Sequence, residues 1–253
     1  MLFKSMNIAG IQKLTLVDFP GRVAATVFTR GCSFRCGFCH NPELVVPEEF
    51  NPIIDEKILF DFLKTRYGKL TGICITGGEP CLQPDLAEFI THLKALGFDV
   101  KLDTNGSFPV SLEQIIKDGD IDYIAMDIKG TLEKYPQIVN HQSPVDTKGI
   151  EKLNENWKLK NDNLLSNIQR SIKLIMNSGI DYEFRTTVCH PLHEVADFEA
   201  IGRLIKGAPK YFIQNFVHNK VIDESTAYTP FTDEELEAAK KIMERYVGKV
   251  GVR

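Results

Sequence analysis

Residues 30–42 read RGCSFRCGFCHNP and carry three of the six cysteines, Cys32, Cys36 and Cys39, in a C-x3-C-x2-C spacing with Phe38 just before the last. Three thiolates this close together on a glycine-containing loop can converge on one metal centre. No fourth cysteine follows at ligand spacing, whereas structural zinc takes four protein ligands and iron–sulfur clusters are usually held by four cysteines. On a four-iron cluster, three thiolates leave one iron open to a small molecule, which makes the loop a candidate reaction site. Two readings compete. One is a zinc site completed by His40, which would have to turn onto the same ion as Cys39. The other is plain burial, since cysteine often serves as a small hydrophobe; a segment mixing Arg, Ser, Gly and His is a poor core element.

The chain behind this loop is that of an ordinary globular protein. Its 253 residues suit one large domain. With 43% hydrophobic and 25% charged residues it can bury a sizeable core. A formal charge of −4 argues against a dedicated nucleic-acid binder, which would present a basic face. The opening MLFKSMNIAG lacks an apolar signal-peptide core. No run of about 18 apolar residues is present, so no membrane span is expected. Cys74, Cys81 and Cys189 are scattered and receive no role; without a disulfide framework, a reducing cytosol is the expected compartment.

Strand-like and helix-like runs alternate. Residues 5–20 read as a preamble ending at the Pro20-Gly21 turn. Strands are expected over 23–29, 72–76, 98–102, 123–126, 182–187 and 211–216. Helices are expected after Asp55, over 84–96, over 111–117 with Ser111 as cap, over 163–178, over 194–205, and over 232–246 with Thr232 and Glu235 as a capping box. Six strand–helix units in strict alternation predict a parallel sheet with helices outside: an α/β fold, an incomplete (β/α)6 TIM-like barrel open on one side, in a single domain over 1–253. The segment 135–162 reads as a polar surface insertion with a short helix near 151–158.

The unusual residues fall at the carboxyl ends of these strands, where parallel β/α folds build their sites. The cysteine loop follows the first strand, Gly77-Gly78-Glu79-Pro80 the second, Asp103-Thr104-Asn105-Gly106 the third, Asp127 and Lys129 the fourth, and His218 the sixth; Arg185 lies on the fifth. Two glycines allow close backbone approach to a ligand, and Glu79 beside them suits an ammonium group. Asp103, Asp127 and Lys129 together suit a zwitterion or a cation, although singly each aspartate reads as a cap or turn residue. Arg185 in an apolar strand needs an anionic partner, from the protein or a ligand. His218 reads equally as a solvated loop residue. His92, His141, His190 and His193 form no constellation.

RGCSFRCGFC, GGEP, DTNG and MDIK, in this order, resemble the radical S-adenosylmethionine (SAM) superfamily over roughly residues 23–218. The opening GIQKLTLVDFPGRVAATVFTRGCSFRCGFCHNPELV is similar to the activating proteins of anaerobic ribonucleoside-triphosphate reductase, and DTNG and MDIK to the wider glycyl-radical-enzyme activases. The resemblance implies a [4Fe–4S] cluster on Cys32, Cys36 and Cys39, with SAM chelating the fourth iron. It places Phe38 near the adenine and Gly77, Gly78 and Glu79 at the methionine amino group. Asn105, Lys129, Arg185 and His218 join the cofactor site, and a monovalent cation sits among Asp103, Thr104, Ala125 and Asp127. It also implies reductive cleavage of SAM to a 5′-deoxyadenosyl radical that takes hydrogen from a glycine of a partner reductase, with flavodoxin or ferredoxin as electron donor and neither nucleic acid nor membrane as partner. The chain departs from its relatives at Cys189-His190-Pro191, in the 135–162 insertion and around NFVHNK, which bears on the substrate and not on the cofactor chemistry. Two rival readings stand beside this one: a radical enzyme acting on a small molecule, as in the deazapurine-forming relatives, and a non-enzymatic iron–sulfur or zinc module.

Overall fold

Every apolar run picked out above is a strand in the computed structural model, which describes residues 6–139 and 161–253. The first half runs β1 (Ile8–Thr15), β2 (Ala24–Thr29), α1 (Pro42–Val45), α2 (Glu56–Lys64), β3 (Gly72–Gly77), α3 (Leu86–Ala95), β4 (Asp99–Thr104), α4 (Pro109–Asp118) and β5 (Tyr123–Asp127). The second runs α5 (Tyr135–Val139), α6 (Asn161–Met176), β6 (Asp181–Val188), α7 (Asp197–Leu204), β7 (Lys210–Asn215), α8 (Asp233–Met243) and β8 (Lys249–Val252).

The eight strands form one sheet in sequence order. From β2 to β8 every pairing is parallel, and β1 runs antiparallel on β2. Among the described residues β1 and β8 do not pair, so the barrel is incomplete. One set of alternate strand positions feeds the apolar core: Ile73 and Ile75, Val100 and Leu102, and Ile124 and Met126 pack with Leu59 and Leu63 of α2, Phe89 and Leu93 of α3, and Ile168 and Ile172 of α6. The intervening positions are different in kind. Thr26, Lys101 and Glu183 are all buried, so the inner face of the sheet is polar where the outer face is greasy. Asp55 caps α2 by accepting from the Lys57 N–H, and α8 carries the expected Thr232–Glu235 capping box.

Four local expectations need correcting. The supposed preamble contains β1, whose loose alternation reflects two register irregularities against β2. β8 carries no strand signal in the sequence, because KVGV is four residues long and holds a glycine. α4 begins at Pro109, whose fixed φ suits a first helical turn, so Ser111 lies inside the helix and does not cap it. The insertion does not begin at residue 135: Tyr135, Ile138 and Val139 of α5 are buried in the core. The short helix expected near 151–158 lies outside the described residues.

Candidate functional site

The cysteine loop is fastened on two sides. The Gly31 N–H donates to the Leu44 carbonyl (2.8 Å) and the Arg35 N–H to the Val139 carbonyl (2.8 Å). The loop after β3 runs directly against it: the Gly78 N–H donates to the Thr29 carbonyl (2.9 Å) and the Glu79 N–H to the Gly31 carbonyl (2.8 Å). This contact dictates both glycines. Gly77 has φ +118°, a left-handed value that side chains disfavour, and a Cβ on Gly78 would lie 2.1 Å from the Gly31 carbonyl oxygen. Gly78→Ala is therefore expected to separate the two loops, destabilising the fold by about 1–3 kcal/mol as overpacked sites do; calorimetry on the purified variant reads the loss.

The loops enclose a cavity of about 260 Å³ lined by Cys32, Cys36 and Cys39 together with residues from five further strand ends. Thr76, Gly77 and Gly78 come from β3, Asp103, Thr104 and Asn105 from β4, Asp127 and Lys129 from β5, Arg185 and Thr187 from β6, and Gln214 from β7. Phe38 also lines it while packing edge-on against His193 and Tyr228. Burial pushes the thiols of Cys32 and Cys36 up to about 12 and that of Cys39 upward, so a metal centre must displace their protons to bind. Among the described residues, no three Cys, His, Asp or Glu side chains close on a single ion. Two groups already point at sulfur: the Phe34 N–H (3.4 Å) and the Asn105 amide (3.7 Å), both toward Cys32 Sγ. Two buried polar atoms in this region, Nε2 of the cavity-lining His40 and Nη2 of Arg35, have no protein partner. Thiols, sulfur-directed donors and the unused His40 Nε2 on one cavity fit an iron–sulfur cluster with a polar ligand beside it.

Two expected residues stand elsewhere. Glu79 is fully buried behind the wall. Its Oε1 accepts from the Cys81 N–H (2.9 Å) and the Thr104 hydroxyl (2.7 Å), and its Oε2 from the Asn105 N–H (2.6 Å). Burial raises its carboxyl to about 6 against the pull of these donors. It braces the β3 and β4 ends together and offers no oxygen to the cavity. His218 is exposed and lines a separate hollow with Asn219, Glu224 and Thr226. The reason is local: β7 stops at Asn215 and Phe216 turns inward to stack on His40 (5.0 Å between centroids), which carries His218 past the rim.

The acidic rim is already neutralised. Asp103 Oδ1 meets Lys101 Nζ, and its Oδ2 takes Arg185 Nη1 (3.2 Å). Asp127 Oδ1 takes Arg185 Nε (2.9 Å), and its Oδ2 takes Lys129 Nζ (3.0 Å). Burial opposes ionisation of both, but Arg185, with Lys101 at Asp103 and Lys129 at Asp127, overrides it and holds both carboxyls below their ordinary range. Every oxygen of the two carboxylates thus faces a cationic nitrogen. The monovalent cation expected among Asp103, Thr104, Ala125 and Asp127 would have to share these carboxylate oxygens with Lys101, Arg185 and Lys129. Lys101 carries no sequence signal of its own beyond a lone charge in an apolar strand. His193, which the sequence places in no constellation, supports this rim. Its Nε2–H donates to the Lys129 carbonyl (2.9 Å) and its Nδ1 accepts the Cys189 N–H (3.2 Å), which steadies the turn that presents Lys129.

Set beside known proteins, the chain matches the model of the radical SAM superfamily over residues 26–205. It is 30% identical over 248 residues to a Methanocaldococcus jannaschii protein provisionally named as a glycyl-radical enzyme activating enzyme, a match covering 97% of this chain and 95% of that one. It is 34% identical over 133 residues to the pyruvate formate-lyase-activating enzyme of Clostridium pasteurianum, spanning 49% of this chain and 52% of the relative. Among solved structures, QueE from Escherichia coli aligns with a TM-score of 0.51 and 14% identity over 98% of this chain and 93% of its own, a likeness of fold.

Proposed function

The chain belongs to the radical SAM superfamily and to its group of glycyl-radical enzyme activating enzymes, and on that premise we propose that it installs a glycyl radical on anaerobic ribonucleoside-triphosphate reductase. Family membership makes its cofactors a [4Fe–4S] cluster and S-adenosylmethionine. When bound, they supply one-electron cleavage of the sulfonium carbon–sulfur bond, which delivers a 5′-deoxyadenosyl radical for hydrogen abstraction.

The protein's share of this chemistry is position and shielding. Cys32, Cys36 and Cys39 would hold the cluster, and the Phe34 and Asn105 donors would steady the Cys32 sulfur as outer-shell bonds do around metals. Gly77 and Gly78 bring bare backbone to the methionine amino group. Lys129, on the cavity wall, would receive the methionine carboxylate, and Phe38 would bound the adenine. The supporting observation is the convergence of the cysteine loop with five other strand ends on one cavity. The choice of reductase rests on the opening stretch through residues 10–45, which folds into β1, β2 and the cysteine loop. We read the protein as one domain working in the cytoplasm, taking its electron from flavodoxin or ferredoxin; among the described residues no helix is long and apolar enough to cross a membrane.

The test is anaerobic. The reconstituted, reduced protein is mixed with SAM and the reductase, and electron paramagnetic resonance is recorded on the reductase. A SAM-dependent glycyl radical with 5′-deoxyadenosine released in proportion is the expected result. Release of 5′-deoxyadenosine without a radical on the reductase would overturn the partner; no cleavage at all would overturn the activity.

A further inference from the structure

The inner face of the sheet carries an alternating ladder of charge beneath the cavity: Lys101, Asp103, Arg185, Asp127, Lys129. Each neighbouring pair is in contact, and three positive groups face two negative ones, a net of +1. Two carboxylates at neighbouring strand ends would, alone, make a −2 site suited to an alkali-metal ion. Here the added charge is built into the chain. Lys101 sits one step below the cavity wall, its side chain 1% exposed, its amine meeting Asp103 and the Cys74 sulfur (3.7 Å). An ion at the Asp103 and Asp127 oxygens would meet the repulsion of three cationic side chains, whose four nitrogens are in contact with those same oxygens. Like charges brought this close in a buried site oppose one another strongly.

We propose that Lys101 is a positioning residue that, with Arg185, takes the place of a monovalent cation at Asp103 and Asp127, so that SAM binds in this cavity without an alkali-metal ion. The ladder then presents a fixed positive end, Lys129, to the ligand's carboxylate. The proposal rests on the reading that SAM occupies this cavity, and its test keeps the two apart.

First, thallium-205 relaxation is measured on the wild-type protein without SAM, with Tl⁺ standing in for K⁺. No saturable, K⁺-competed broadening is expected in wild type, whereas Lys101→Met, which frees Asp103 Oδ1, gains it. Second, the dissociation constant of SAM is measured by calorimetry in potassium chloride and in tetramethylammonium chloride at equal ionic strength. The wild-type value is expected to agree within about twofold between the salts, while Lys101→Met binds SAM at least tenfold more tightly in potassium. A wild-type protein that binds Tl⁺ saturably, or that binds SAM tenfold better in potassium, would overturn the proposal, as would a folded Lys101→Met protein indifferent to potassium. Where Lys101→Met fails to fold, the wild-type measurements decide. A protein that binds no SAM in either salt refutes the cavity reading, and the thallium titration still decides whether the ladder excludes the ion.

Discussion

Cys36→Ala is expected to leave a folded protein that holds no intact iron–sulfur cluster and cleaves no SAM above background. Cys36 lies between its two partners on the loop, 7% exposed, with its sulfur on the cavity. A cluster already limited to three protein ligands has none to spare. The loop's own fastenings, at Gly31, Arg35, Gly78 and Glu79, are backbone bonds that do not involve the Cys36 side chain, so the variant keeps its fold. Iron and sulfide are assayed after anaerobic reconstitution, and 5′-deoxyadenosine is measured in the same sample. Both are expected to vanish together in Cys36→Ala and to persist in Cys189→Ala, whose sulfur is buried away from the cavity. A Cys36→Ala protein that cleaves SAM at the wild-type rate would falsify the ligand assignment.

Arg185→Met is expected to lower stability by about 3–5 kcal/mol, the usual loss when one partner of a buried ion pair is removed. Arg185 bridges two carboxylates, and its side chain is 12% exposed beside Asp103 at 13% and Asp127 at 26%. Its removal leaves Asp103 Oδ2 and Asp127 Oδ1 without their cation. The pH dependence follows from the direction of the shifts. In wild type both carboxyls ionise below their unfolded value, so the stability they lend is fully present above that value, near 3.9, and is lost as pH falls through the folded one. In the variant burial acts with less opposition and raises them, so acid relieves the charge. The gap between wild type and Arg185→Met is therefore widest near pH 7 and narrows toward pH 5. Urea denaturation of the metal-free proteins at both values measures it; a gap that is constant or widens in acid would contradict this account.

The sequence made the rim of the barrel easier to read than its walls. Cysteine spacing, paired glycines and aspartates at strand ends are local signals, and the structure gathers the three cysteines, Gly77, Gly78, Asp103, Thr104, Asn105, Asp127, Lys129 and Arg185 on one cavity. What was hidden depends on which way a side chain faces once strands pair. Lys101 sits in VKLDT, where alternation alone does not say whether the lysine faces water or the barrel interior. The register of β4 against β3 and β5 turns it inward, opposite Cys74 and Tyr123. Glu79 looked like a ligand-facing carboxylate because it follows two glycines, yet the turn after β3 swings it behind the wall, where three donors are waiting. β1 was missed because an antiparallel edge strand with register irregularities shows neither the apolar run of a buried strand nor clean alternation.

The strict sequence order of the sheet bears on how the protein is made. Each parallel strand joins the one before it, and the cavity wall is complete only when Gln214 is laid down, 175 residues after Cys39 (214 − 39). At a synthesis rate of about 5–20 residues per second, the three thiols leave the ribosome roughly ten to thirty-five seconds before their housing exists. During that interval they are ordinary exposed cysteines, open to oxidation or to stray metal. Loading of the cluster therefore belongs after translation, on a finished barrel.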